Sequence, residues 1–441
     1  MSNMISFRNV GLFKEANVEF KGLTVLAGEN DTGKSTIGRL IFSIVKAEQF
    51  SKDKFFKENR NRFIELKLNE IKSFMKILSL KYEPEFENIK REIFFSLKES
   101  NSLSTTRKLD SFQKLESKIR ETVQKLENKG INTKFIFLNF AKIKEALYDQ
   151  KFKHKFRNLV LKRMITTNFM DSIVNKFSKE KEAVIEYGNG KILITEHLPN
   201  EIFVSKFDRF THFKDATIIE TPVVLQIGDV LSRISYEFTY KDKQWETYPY
   251  TFRDLILKIF KFRREIDIPE EEEKKKELIE ALLNIMPGKV EYEDGALRYS
   301  YKEKSFHILS TATGIKSFAI IYFLLQRGFL TSYKSILIVD EPEIHLHPRW
   351  QIEYAKFLVE LVKHGTFVLV NTHSPYIVEA IEVFSKKEKI HDRVKFYLSE
   401  KVERDEEVFC ELKDVTFSTE EIYQKLYIPL EELERISVEY D

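Results

Sequence analysis

The chain has 441 residues, 42% hydrophobic and 32% charged, enough for two or three domains or one domain with large insertions. That balance fits a water-soluble globular protein. The sequence has no N-terminal signal pattern and no apolar run of bilayer length, so a cytosolic protein without a membrane partner is expected. Its one cysteine, Cys410, excludes an internal disulfide and a multi-cysteine metal site. The net charge of +3 hides an asymmetry. Residues 51–170 carry 28 Lys/Arg against 15 Asp/Glu, a net of +13, which leaves −10 for the remainder. Such a basic stretch is either a surface for nucleic acid or an acidic partner, or a set of solvated helical faces.

Met4–Val10 and Ala16–Phe20 alternate apolar and polar residues and are predicted as strands. Leu23–Ala27 is a short apolar strand, predicted to complete an antiparallel run of three. It leads into Gly28-Glu29-Asn30-Asp31-Thr32-Gly33-Lys34-Ser35-Thr36, and the mostly apolar Ile37–Val45 follows as a helix. Strand, glycine-bracketed loop ending in Lys-Ser, then helix is the phosphate-loop arrangement. Its backbone N–H groups and the helix N-terminus favour phosphate. Lys34 is the candidate for the β- and γ-phosphates and Ser35 for Mg²⁺.

From about Phe50 to Lys176 the texture changes, with Gly130 the only glycine and Pro84 the only proline. Phe63, Leu66, Ile71, Phe74 and Ile77 recur at helical spacing. Residues 51–176 are predicted as a helical, basic insertion, with breaks near Pro84, Ser100–Thr106 and Gly130. Residues 1–50 and 177–441 would form the head. Asn189-Gly190 is predicted as the turn of a hairpin between Ala183–Tyr187 and Lys191–Ile194. Glu201–Val204 and Ala216–Glu220 are further strands, and Phe252–Phe262 and Glu270–Ile285 are helices. Asp294-Gly295 turns a second hairpin, from Lys289–Tyr292 into Leu297–Tyr301. His307–Ser317 precedes an apolar helix, Phe318–Leu325. Buried strands are predicted at Ser335–Val339 and Thr366–Asn371, a helix at Arg349–Lys363, and strands at Val394–Tyr397 and Val408–Leu412. A last helix, Ser418–Tyr427, is predicted to be interrupted at Pro429.

Asp340-Glu341 ends an apolar strand, and in a phosphate-loop protein such acids lie at the same sheet edge as the loop. Asp340 is the candidate Mg²⁺ ligand and Glu341 the candidate base for an attacking water. His373 follows the next buried strand and is a candidate γ-phosphate contact. Gly314 lies at a helix start that could bind phosphate. Gln226 could sense Mg²⁺, a plain strand-end residue being the simpler reading. His345 and His347 beside Glu343 match no zinc spacing.

Together, Gly28–Thr36, Leu309–Ser317, Leu337–Glu343 and Thr372–Ser374 resemble the phosphate loop, signature, acidic strand and switch histidine of ABC-type ATPases. More narrowly, Asp340–Pro348 and Thr372–Pro375 resemble the overcoming-lysogenization-defect (OLD) ATPases and the ATPase subunits of the Septu and PARIS antiphage systems. The resemblance implies an α/β phosphate-loop head of ABC type, with a mixed sheet and a large helical insertion. It implies ATP and Mg²⁺, and a head-to-tail homodimer, or a higher oligomer built on it. Gly28, Asn30, Gly33, Lys34, Ser35 and Thr36 of one protomer would then bind ATP against Gly314 of the other. The usual signature serine position is Ala312. OLD nucleases carry a Toprim domain after the ATPase, whereas 66 residues follow Pro375 here, so a nuclease or toxin effector is expected as a separate chain. The leading expectation is an ATP-hydrolysing sensor or scaffold subunit of an antiphage system, triggered by a phage protein or DNA. A DNA-repair or recombination ATPase is the alternative, and a transporter's nucleotide-binding subunit fits less well.

Overall fold

The computed structural model describes residues 4–50, 53–77, 132–148, 152–170, 173–195, 201–206, 213–226, 249–260, 268–293, 296–331, 335–404 and 407–440, with scattered positions between 91 and 128. The breaks predicted at Pro84, Ser100–Thr106 and Gly130, and the turn at Asp294-Gly295, lie outside the described residues. The chain divides into two compact units, Met1–Glu48 with Leu161–Asp441, and Gln49–Val160.

The first unit is built on an eleven-stranded mixed sheet in the order β6-β5-β4-β1-β2-β14-β13-β3-β12-β11-β7. Its strands are β1 (Met4–Val10), β2 (Phe13–Glu19), β3 (Leu23–Ala27), β4 (Glu182–Tyr187), β5 (Gly190–Thr195), β6 (Glu201–Lys206), β7 (Asp215–Ile219), β11 (Ser335–Asp340), β12 (Phe367–Thr372), β13 (Val394–Arg404) and β14 (Glu407–Asp414). Three more strands, β8 (Lys289–Glu293), β9 (Ala296–Tyr301) and β10 (Lys304–His307), form a small separate sheet. The predicted run of three adjacent strands does not form. β1 and β2 pair antiparallel, but β3 pairs parallel with β12 and β13. All five residues of β3 are buried, as in a central parallel strand, which needs a neighbour on each edge. The β13–β14 hairpin, from the far end of the chain, supplies one of them.

Helices cover both faces of the parallel half. α1 (Lys34–Phe50) lies on one, where Gly38 approaches so closely that a Cβ would stand 2.9 Å from Ile338. On the other, Val25, Leu337, Val339, Val368 and Val370 enter a continuous core with Phe318, Leu324, Tyr354, Leu358, Ile377 and Ile381. Those side chains come from α7 (Thr313–Gln326), α8 (Pro348–Lys363) and α9 (Pro375–Lys387). α5 (Tyr250–Phe260), α6 (Pro269–Ile285) and α10 (Glu420–Tyr440) also contribute to it.

Three local expectations are corrected. The first hairpin turns at Gly188-Asn189, with Tyr187 opposite Gly190. Gly188 has φ 54°, so the glycine that the tight turn requires is the first one, and Gly190 starts the strand. The apolar helix begins at Thr313, which puts Gly314 inside its first turn. α10 continues through Pro429; a proline that removes one hydrogen bond bends a helix rather than ending it when both flanks remain helical.

In the second unit, α2 (Asp53–Ile77) and α3 (Lys134–Tyr148) pack together, and the rings of Phe74 and Phe135 are 5.1 Å apart. Ile64, Leu68 and Ile71 of α2 are buried, as are Ile136, Phe140 and Ile143 of α3. The period is helical in each, one apolar stripe per helix. α4 (Phe152–Phe169) runs from this unit into the first.

Candidate functional site

Parallel pairing in register makes β3, β11 and β12 end level. Ala27, the last residue of β3, pairs with Thr372 of β12 and Leu398 of β13, while Asp340 of β11 pairs with Asn371. The segments leaving β3, β11 and β12 therefore emerge together at the carboxyl edge of the sheet, where α/β proteins bind ligands.

The loop after β3 is shaped by its glycines. Gly28 has φ 149°, and a Cβ there would lie 2.3 Å from the Ser399 carbonyl oxygen of β13. Gly33 has φ 80° and sits on the Phe13 ring, 3.0 Å from where a Cβ would be. Lys34 is buried, and its ammonium donates to Gly28 O at 3.0 Å, Glu29 O at 2.5 Å and Thr32 Oγ1 at 3.2 Å. Burial lowers its pKa, against the opposing pull of Glu341, Asp340 and Glu343. Ser399 Oγ holds the loop from β13 by donating to Thr32 O at 2.8 Å. Thr36 packs against Gly11 in the β1–β2 turn, and Asn30 is exposed.

The acids meet this loop directly. Ser35 Oγ donates to Asp340 Oδ1 at 3.0 Å, and Asn371 Nδ2 donates to the same oxygen at 2.7 Å. Glu341 takes a left-handed backbone, φ 48°, with its N–H bonded to Asn371 O at 2.9 Å. That conformation costs a non-glycine residue about 1–3 kcal/mol and persists only where neighbours fix it. His373 lies over both glutamates, with Nδ1 3.8 Å from Glu341 Oε1 and 3.1 Å from Glu343 Oε1. Glu343 is buried, which pushes its carboxyl pKa up despite the hydrogen bonds it accepts.

Lys34, Ser35, Asp340, Glu341 and His373 are thus gathered at one edge. Gly314 and Gln226 are not joined to them by a hydrogen bond among the described residues. Gly314 packs instead on α8, where a Cβ would stand 3.1 Å from the Trp350 ring. Gln226 is exposed, beyond the end of β7. His347 caps α8, its Nδ1 accepting from Arg349 N at 3.3 Å. Ala312 occupies the N-cap position of α7 and makes no side-chain cap.

Sequence reasoning assigned no role to Asn371, Thr372, Glu343 or Ser399. Asn371 could have been suspected, as an amide at the end of an apolar strand; Ser399 carries no local signal. The donor set at the edge is a hydroxyl and a carboxylate, hard oxygens that suit Mg²⁺. The glycine-shaped loop, with an ammonium at its centre, suits a polyphosphate.

The chain resembles known proteins at three levels. A stretch of 54 residues is 33% identical to the Septu protein PtuA of Bacillus thuringiensis, covering 12% of this chain and 13% of that protein. Among solved structures, the SMC head domain from Thermotoga maritima is 10% identical with a TM-score of 0.37, over 93% of this chain and 98% of that one. The Smc head domain with an extended coiled coil, bound to the C-terminal domain of ScpA and derived from Pyrococcus furiosus, is 10% identical with a TM-score of 0.41, over 96% and 98%. The profile of the AAA ATPase domain family (AAA_15) matches residues 1–378, and the chain belongs to that family.

Proposed function

We propose that this edge binds ATP with Mg²⁺ and hydrolyses it. The observation that carries the reading is the 3.0 Å bond between Ser35 and Asp340, which joins the phosphate loop to the acidic strand, with Glu341 and His373 at the same edge. The backbone N–H groups from Gly28 to Thr36, Asn30 among them, hold the phosphates. Lys34 exchanges its contacts to Gly28 O and Glu29 O for phosphate oxygens. Ser35 and Asp340 hold Mg²⁺, and Mg²⁺ when bound neutralises charge on the phosphates. Glu341 orients the attacking water and takes its proton, and His373 reaches the γ-phosphate. Lys34→Ala and Glu341→Gln are each expected to abolish ATP turnover by the purified protein. Wild-type-like hydrolysis in both variants overturns the assignment.

Within this reading the chain is an OLD-like ATPase subunit of an antiphage system, a reading supported by the short stretch similar to PtuA. Two copies sandwich two nucleotides head to tail, each Gly314 capping the γ-phosphate bound by the other. Ala312 offers no side-chain oxygen there, so turnover is slow. ATP closes the dimer, and closure controls a separate nuclease or toxin. Residues 51–176 are the surface for the effector or the trigger. The protein works in the cytoplasm; no helix among the described residues is long and apolar enough to cross a membrane. The net +13 of residues 51–170 favours one alternative, a DNA-repair ATPase. Salt-sensitive DNA binding that stimulates hydrolysis would select it. Co-purification of a nuclease or toxin would select the defence role.

A further inference from the structure

Glu343 has no assigned role, yet it joins the segment after β11 to the segment after β12. Its Oε1 accepts from Thr372 Oγ1 at 2.8 Å and from His373 N at 2.6 Å, and lies 3.1 Å from His373 Nδ1. The carboxylate is buried, with 4% of its side chain exposed, whereas His373 is 36% exposed. His373 Nδ1 makes no hydrogen bond among the described residues, so it is the backbone of the histidine that is held from inside while its ring reaches solvent.

The same segments are tied at two more points. Glu341 N donates to Asn371 O. Ser374 Oγ donates to Gln351 Oε1 at 2.6 Å, and Gln351 Nε2 donates to Leu346 O at 2.9 Å. Between these ties the chain reverses sharply, with left-handed φ of 48° at Glu341 and 65° at His345. Conformations of this kind need a surrounding structure that over-determines them. Glu343 stands between the two strained positions and supplies the central anchor.

We infer that Glu343 is the positioning residue of the site. It sets the backbone from which Glu341 and His373 project, through the hydrogen bonds that its Oε1 accepts from Thr372 Oγ1 and His373 N.

The inference deepens the ATPase reading, and its test separates the two. In the nucleotide-free protein, the backbone amide of His373, assigned with His373→Asn, should exchange slowly with solvent deuterium in wild type and in Glu343→Gln. Glutamine keeps the Oε1 acceptor for both hydrogen bonds. In Glu343→Ala that amide loses its acceptor and should exchange at least tenfold faster. For turnover, Glu343→Ala should lower kcat at least tenfold with KM for ATP within threefold, and Glu343→Gln should restore kcat to within threefold of wild type. A His373 amide that exchanges as slowly in Glu343→Ala as in wild type overturns the inference, as does wild-type kcat in Glu343→Ala. A Glu343→Gln variant that folds but is as inactive as Glu343→Ala also overturns it, since the carboxylate would then act chemically and not by position. If wild type hydrolyses no ATP, the ATPase reading fails, and the amide exchange still decides the role of Glu343.

Discussion

Gly28 illustrates how a single residue makes the site. Its φ of 149° and its approach to Ser399 O, 2.3 Å from a would-be Cβ, leave no room for a side chain. Neither partner can yield easily, because Ser399 is itself bonded to Thr32 and lies within β13. Gly28→Ala should therefore carry backbone strain of about 1–3 kcal/mol in addition to the steric clash. The expected result is a lower midpoint in thermal or urea unfolding and weaker nucleotide binding. A variant that melts with wild type would show that the loop is free to rearrange. Residues of this loop were legible in the sequence because their signal is local: nine consecutive residues between a strand and a helix. Asp340, Glu341 and His373 were legible because each follows an apolar run. Glu343 and Ser399 were not, because their meaning lies in partners 30 and 367 positions away. Glu343 stands inside the Asp340–Pro348 stretch that carries the family resemblance, but nothing local says what its carboxylate holds.

Among elements, most strands and helices could be predicted from period and length, whereas their neighbours could not. β3 has β1 and β2 before it in sequence, yet β12 and β13 flank it. Apolar alternation specifies a strand's faces, not which strand it joins. A buried charge network ties the elements at the far side of the sheet. Lys46 of α1 lies 2.5 Å from Asp215 of β7 and 2.8 Å from Asp254 of α5, and Lys258 of α5 lies 2.8 Å from Asp215 and 3.0 Å from Asp254. The helix that begins at the phosphate loop is thereby fixed to the edge strand. Burial alone would raise the Asp215 pKa, but Lys258 and Lys46 overrule it and hold it below its usual range. A depressed carboxylate contributes stability above its unfolded pKa, about 4, and that contribution is lost as pH falls through the folded value. Removing one member of a buried ionic group costs about 3–5 kcal/mol. Asp215→Asn should therefore be destabilised by about that much at pH 7 in urea unfolding. The gap from wild type should narrow as pH is lowered from 5 towards 2. A gap that stays constant over that range would mean that Asp215 is not the charged anchor of the network.

For the whole molecule, the question is whether one chain can hold a complete site. Lys34, Ser35, Asp340, Glu341 and His373 converge on one edge, but Gly314 sits on Trp350 with no hydrogen bond to them. The first turn of α7 presents uncapped backbone N–H groups at Ala312, a favourable place for an anion only if one is brought to it. In the proposed dimer that anion is the γ-phosphate held by the second copy. The consequence is specific. Lys34→Ala disables the phosphate loop of its own protomer, and Gly314→Asp places a negative charge where the partner's phosphate would dock. Each variant alone should be inactive. Mixed, they form heterodimers in which one site carries both lesions and the other carries neither, so turnover should return. Equal mixing makes half of the dimers heterodimers, each with one intact site of two, which sets the recovery at about one quarter of wild type if the sites act independently. Recovery should also rise with protein concentration, because assembly is bimolecular. A Gly314→Asp protein that hydrolyses ATP normally by itself would remove α7 from the site. An inactive pair that stays inactive when mixed, although heterodimers form, would show that both residues serve the same protomer or that the two sites fire only together.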